Sequence, residues 1–130
     1  MGYHRSFTQS RWFTTNEWNE ICSKIKDIIS TSDIKLCGPK GIESSQPIIN
    51  DHEISFNLYN SKYTDDDLYY ESTKFMITKN IIKHGSLTIK IYDPDSPYDN
   101  IITYILNVIN EIAPKALNVR KSNSMKVIYN

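Results

Sequence analysis

Hydrophobic residues recur at helical spacing in two segments of this 130-residue chain. In the first segment the apolar positions recur every three or four residues, which places them on one face of a helix. They are Trp18, Ile21, Cys22, Ile25, Ile28 and Ile29. Thr14 and Glu17 have the spacing of a capping box, in which each side chain bonds to the backbone amide of the other residue. The pattern predicts a helix that begins at Thr14 and runs to about Ser30.

Three aromatic residues stand at the start of this helix. Phe13 and Trp18 flank the cap at the positions of a hydrophobic staple, and Trp12 precedes them. We expect the three rings to pack together around the first turn. Cys22 and Cys37 are expected to be reduced structural thiols, because two cysteines do not make a disulfide framework in a chain of this size.

The second helical segment has an equally clear beginning at Ser96-Pro97. Serine can cap a helix, and proline fits its first position because the missing amide would be unpaired there. Asp99 follows in the first turn, where a negative charge is favourable, and Pro114 ends the segment. The predicted buried face consists of Tyr98, Ile101, Ile102, Ile105, Leu106, Ile109 and Ile112.

Between the helices the hydrophobic period changes from helical to alternating, as in strands with one buried face. The clearest alternations cover residues 54–58, 73–77 and 87–91, and weaker ones cover 3–8, 34–37, 117–121 and 126–129. Consecutive strands with short turns favour antiparallel pairing. The pattern predicts one α+β domain over residues 1–130, with an antiparallel sheet of about five to seven strands and two amphipathic helices on one face. The predicted order is β-α-β-β-β-β-α-β.

The net charge is zero, with 15 basic and 15 acidic side chains. This balance argues against a strongly basic nucleic-acid-binding surface. It conceals an asymmetry, because residues 51–99 hold nine acidic and five basic side chains, whereas residues 100–130 hold four basic and one acidic. The basic residues near the C-terminus therefore mark an alternative nucleic-acid-binding face. They are Lys115, Arg120, Lys121 and Lys126.

The chain has no apolar run near the ~20 residues that a membrane-spanning helix needs. Its first six residues also lack the apolar stretch of a secretory signal. We therefore expect an intracellular protein with no membrane association. Ile, Lys, Asn and Tyr supply 53 of the 130 residues, against 2 Ala and 3 Arg, which indicates an AT-rich genome.

Complete catalytic or metal-binding motifs are missing from the sequence. The three histidines lack metal-ligand spacing, and the glycines do not form a phosphate-binding loop. We therefore expect no metal and no cofactor. The weak catalytic candidates are His4 and Glu71, which could act across neighbouring strands, together with Thr73.

An acidic loop flanked by tyrosines is the best candidate for a contact surface. Tyr63, Tyr69 and Tyr70 lie on either side of Asp65-Asp66-Asp67. Aromatic platforms for single-stranded nucleic acid are interleaved with basic residues, whereas these carboxylates would repel phosphate. The pattern favours contact with a protein.

Six short motifs follow one another along the chain. They are Met1-Gly2-Tyr3-His4, Glu17-Trp18, Leu36-Cys37-Gly38-Pro39, Ile54-Ser55-Phe56-Asn57, Glu71-Ser72-Thr73 and Pro97-Tyr98-Asp99. In this order the chain resembles a family of short proteins of phages, prophages and large DNA viruses, to which no activity is assigned. The chain departs from that pattern at His4, which is displaced by one residue, and at a broken His-Glu-Thr triplet. With the AT-rich composition, the resemblance implies a protein of a large DNA virus, located in the host cytoplasm or the virion.

Three functional hypotheses follow from these observations. The leading one is a non-enzymatic viral accessory protein that binds a protein partner or forms a homo-oligomer. The second is a nucleic-acid-binding sheet domain. The third is a small nucleotide-binding or enzymatic protein that acts on host signalling.

Overall fold

The computed structural model describes residues 3–59, 73–80, 86–91, 97–123 and 127–129. These ranges contain two long helices, α1 (Thr15–Ser30) and α2 (Pro97–Ile112). The strands are β1 (Tyr3–Gln9), β2 (Leu36–Cys37), β3 (Ile48–Ile49), β4 (Glu53–Leu58), β5 (Phe75–Thr78), β6 (Ser86–Ile91), β7 (Leu117–Asn123) and β8 (Val127–Tyr129). The α+β class and the predicted order of elements are confirmed.

The strands form two antiparallel sheets instead of one continuous sheet. The first sheet has the order β6-β1-β7-β8, and the second is built around β4, which pairs with β2, β3 and β5. The strand predicted over residues 73–77 begins later, at Phe75. Burial still alternates from Thr73 to Ile77, as the sequence pattern predicts.

A single core joins both sheets to both helices. The Phe75 ring of β5 lies 4.9 Å from the Phe56 ring of β4 and 5.9 Å from the Phe7 ring of β1, measured between centroids. Trp18 from α1 and Ile105 from α2 belong to the same buried cluster. The hydrophobic stripes of both helices therefore face one shared interior.

The start of α1 follows the predicted cap. The Glu17 amide donates to Thr14 Oγ1 at 3.1 Å, and the Thr14 amide donates to Glu17 Oε1 at 2.9 Å. The Phe13 and Trp18 rings pack with their centroids 5.5 Å apart. The prediction that Trp12 joins them is wrong, because its side chain is 61% exposed. Phe13, by contrast, is 3% exposed, and its amide donates to the Lys79 carbonyl at 3.0 Å.

The Glu17 carboxylate also forms a bidentate pair with Arg11. Arg11 Nη1 and Nη2 lie 2.9 and 3.0 Å from the two carboxylate oxygens. The bonds from Arg11 and from the Thr14 amide lower the pKa of Glu17 from 4.5 to about 2. The folded state therefore holds the carboxylate ionised at pH values where the unfolded chain binds a proton.

This pair gives a prediction for stability in acid. Because the folded pKa of Glu17 is depressed, its contribution is complete above pH 4.5 and is lost as the pH falls towards about 2. The pair is partly exposed to solvent, so water and salt screen it and we expect only a small part of this pKa shift to contribute to stability. Urea unfolding of the wild type and of Glu17→Gln at pH 6 and pH 3 measures it. The wild type should lose more stability than the variant between these pH values; equal losses would contradict the assignment.

A strained turn connects α2 to β7. The Ala116 amide donates to the Ala113 carbonyl at 3.1 Å, and Lys115 between them has φ of +67°. Glycine adopts this left-handed region without the steric penalty that other residues carry. We expect Lys115→Gly to raise the free energy of unfolding by about 0.5–1 kcal/mol. Lys115→Ala is the matched control, since it removes the charge and retains the strain. A glycine variant no more stable than the alanine variant would contradict this explanation.

Candidate functional site

Four of the motifs quoted above meet at one buried position, although they are far apart in the sequence. Asn57 lies near the end of β4, Thr73 precedes β5, Tyr98 lies in the first turn of α2, and Pro39 follows β2. The Asn57 side chain is 1% exposed. The fold therefore brings the polar residues of these motifs into one cluster in the core.

Hydrogen bonds connect the members of this cluster. Thr73 Oγ1 donates to Asn57 Oδ1 at 2.8 Å, and Asn57 Nδ2 donates to the Pro39 carbonyl at 2.9 Å. Asn57 Oδ1 also accepts from the Leu58 amide at 2.9 Å. Tyr98 Oη donates to the Thr73 carbonyl at 2.6 Å. Asn57 is thus the centre of a network that links β4 to the segments before β5 and after β2.

A tight turn places the Pro39 carbonyl beside Asn57. The Gly41 amide donates to the Gly38 carbonyl at 2.9 Å, and Gly41 has φ of +71°. A Cβ atom on Gly38 would lie 3.0 Å from Ser45 Oγ and 3.1 Å from the Gln46 carbonyl oxygen. Glycine at position 38 therefore permits the close approach that the turn needs.

The bonding of Thr73 determines what its hydroxyl can do. It donates to an amide oxygen, and an amide is too weak a base to activate a hydroxyl group as a nucleophile. Buried polar groups that satisfy one another in this way fix the geometry of a core. The bonds that we describe therefore give Thr73 a structural role in joining β4 to the segment before β5.

The two cysteines are free thiols, as predicted. Cys37 is fully buried and Cys22 is half-buried. Burial raises the pKa of both thiols above the ordinary value. Both therefore stay protonated at neutral pH, and a protonated thiol is a poor nucleophile.

The other weak catalytic candidates are described only in part. His4 lies in β1, where its backbone pairs with Lys90 and Ser122, but its side chain lies outside the description. Glu71 also lies outside the described residues. The approach of His4 and Glu71 to Thr73 stays a prediction.

Of the predicted contact residues, too, the structure describes only some. Tyr63, Tyr69, Tyr70, Asp65, Asp66 and Asp67 lie outside the described residues, and so do Lys126 and the proposed helix cap Ser96. Lys115 is exposed in the turn after α2. Arg120 and Lys121 lie in β7, whose backbone pairs with β1 and β8. The nucleic-acid-binding face stays a prediction.

Two grooves flank the C-terminal end of α1. The first, here called the acidic groove, has a volume of about 430 Å³ and lies between this end of α1 and the beginning of α2. Its lining includes Asp27, Asp33, Ile28, Ile101 and Tyr104. Tyr104 is 59% exposed. The groove thus combines an apolar wall with two carboxylates and an exposed phenol ring.

The second groove, here called the basic groove, has a volume of about 590 Å³ and lies between α1 and the segment containing β2 and β3. Its lining includes Lys26, Lys35, Ile29, Leu36 and Ile49. Ile34 contributes to both grooves. The two grooves are therefore adjacent and have opposite charge.

Sequence reasoning missed both grooves. The acidic groove forms where α1 and α2 come together, and the basic groove forms where the chain turns from α1 into β2. The spacing of hydrophobic residues in the sequence does not reveal either arrangement. One signal was present. Tyr104 falls outside the apolar stripe of α2, so a large aromatic residue stands on the solvent side of that helix.

Neither α1 nor α2 has the length and hydropathy that a membrane-crossing helix requires. Within the described ranges, no group of three His, Cys, Asp or Glu side chains is arranged to hold a metal ion. Comparison with protein-family models, curated proteins and solved structures found no match to this chain.

Proposed function

We propose that this protein is a non-enzymatic accessory protein of a large DNA virus and that it acts by binding a protein. The surface around the C-terminal end of α1 is the proposed binding surface. The observation that carries the proposal is the position of Tyr104, a large ring that is 59% exposed on the apolar wall of the acidic groove. The viral origin is supported by the motif order and the AT-rich composition.

The composition of this surface favours a protein ligand. Ile28, Ile101 and Tyr104 form an apolar wall, and Asp27 and Asp33 supply charged groups beside it. Exposed aromatic rings next to apolar clefts are typical anchor sites of protein interfaces. By contrast, the described polar network around Asn57 is buried and internally bonded, so it supports folding.

Affinity capture from cells that express the tagged protein tests the proposal. We expect the wild type to retain a partner, which can be a second copy of the chain, and Tyr104→Asp to lose it. Trp12→Asp is the matched control, because Trp12 is also a large exposed aromatic residue, at 61%, and does not line either groove. Equal retention by both variants, or no retained protein with the wild type, would overturn the proposal.

A further inference from the structure

The charged side chains that the structure describes in the acidic groove are both carboxylates. They belong to Asp27 and Asp33, and none of the described lining residues is basic. The last turn of α1, which ends at this groove, has no basic residue either. The C-terminal end of a helix carries a partial negative charge that adds to that of the carboxylates. A ligand that supplies positive charge would therefore complement this groove.

The basic groove has the opposite character. Lys26 and Lys35 line it, and none of the lining residues that the structure describes is acidic. Lys35 Nζ lies 3.9 Å from a Glu43 oxygen, and both side chains are more than half exposed, so this pair is a weak constraint. Lys35 Nζ also lies 5.7 Å from the centre of the Tyr59 ring. Both lysines are exposed, so a ligand that carries carboxylates would complement this groove.

Apolar residues continue from one groove into the other. Ile34 lines both of them, with Ile28 and Tyr104 on the acidic side and Ile29 and Leu36 on the basic side. The surface thus runs from negative through apolar to positive. A surface of this kind is complementary to a copy of itself turned by 180°.

We propose that the partner at this surface is a second copy of the chain. The inference rests on the proposed function, since it names the protein that this surface binds. The acidic groove of each copy faces the basic groove of the other across a two-fold axis close to Ile34. Two-fold symmetry forms both contacts at once and closes the assembly as a dimer. The zero net charge of the chain adds no overall repulsion between the copies.

Sedimentation velocity over a range of concentrations, with paired charge reversals, tests the inference. We expect the wild type to dimerise, and Asp27→Lys with Asp33→Lys, or Lys26→Glu with Lys35→Glu, to weaken the dimer at least tenfold through like-charge contacts. Combining all four substitutions should restore the dimer to within a few-fold of the wild type, because the grooves are complementary again. Lys24→Glu with Lys40→Glu is the matched control, since these exposed lysines line neither groove. The control should leave the dimer intact.

Three results would overturn the inference. They are a monomeric wild type at all concentrations, a dimer that tolerates each double reversal, and a quadruple variant that stays monomeric while its circular dichroism matches the wild type. A monomeric wild type that still captures another protein through Tyr104 leaves the proposed function intact. A monomer that captures nothing contradicts both.

Discussion

Replacement of Trp18 by alanine should lower the free energy of unfolding by about 4 kcal/mol, at the upper end of large-to-small core substitutions. Trp18 is 1% exposed, packs against Phe13, and donates from Nε1 to the Asn50 carbonyl at 2.9 Å. Its removal leaves a cavity beneath the first turn of α1 and a carbonyl without this partner. Urea unfolding followed by circular dichroism measures the loss.

Trp12→Ala is the matched control for this prediction. Trp12 is 61% exposed, so the same change in side-chain size should alter stability by about 0.5 kcal/mol or less. Similar losses of stability in the two variants would contradict the assignment of Trp18 as buried and of Trp12 as exposed.

Replacement of Asn57 by leucine should destabilise the protein by about 3 kcal/mol. Leucine has a similar shape but cannot bond to the Thr73 hydroxyl, the Pro39 carbonyl or the Leu58 amide. A buried polar group that loses its partner costs about 1–3 kcal/mol, and leucine removes the partner of several groups at once. Denaturant titration provides the measurement.

Thr73→Val provides the second arm of a double-mutant cycle. It removes the Thr73 hydroxyl that donates to Asn57 Oδ1, so we expect a loss of about 1 kcal/mol. The double variant should lose less than the two single losses combined, because both substitutions remove the same bond. Strict additivity, or a loss below about 1 kcal/mol for Asn57→Leu, would contradict the network.

Short-range chemistry made much of the fold predictable. The capping bonds between Thr14 and Glu17 span three residues, and the stripe from Trp18 to Ile29 follows from helical geometry alone. The alternation over residues 54–58 likewise predicted β4. The expectation of one buried face is wrong there, because Ser55 and Asn57 are buried as well as Ile54 and Phe56. These elements depend on neighbours in the sequence, so their pattern is visible there.

Features that depend on distant contacts were not predictable. The helical stripe predicted a buried Trp18, which is 1% exposed, but nothing local in the sequence showed that Trp12, expected to pack beside it, would be 61% exposed. The motif order singled out Asn57 and Tyr98, but their meeting at Thr73 requires the pairing of β4 with β5. The division into two sheets depends in the same way on strand pairing over long separations.

The two grooves of the candidate binding surface were not predictable from the sequence either. Asp27 and Lys26 are adjacent in the sequence, yet they line grooves of opposite charge on two flanks of α1. Helical geometry separates neighbouring side chains by about 100° around the axis. α2 forms the other side of the groove that Asp27 lines. The segment containing β2 and β3 forms the other side of the groove that Lys26 lines.

Site-specific photocrosslinking in cells tests the central claim most directly. A benzoylphenylalanine side chain replaces Tyr104 in one protein and Trp12 in the other, since both positions are exposed and Tyr104 lines the acidic groove, whereas Trp12 lines neither the acidic nor the basic groove. We expect a protein adduct from position 104 and none from position 12. An adduct of two chains, each of 15.1 kDa, would identify the partner as a second copy. The absence of any protein adduct at position 104, or equal adducts at both positions, would contradict the claim that this surface binds a protein.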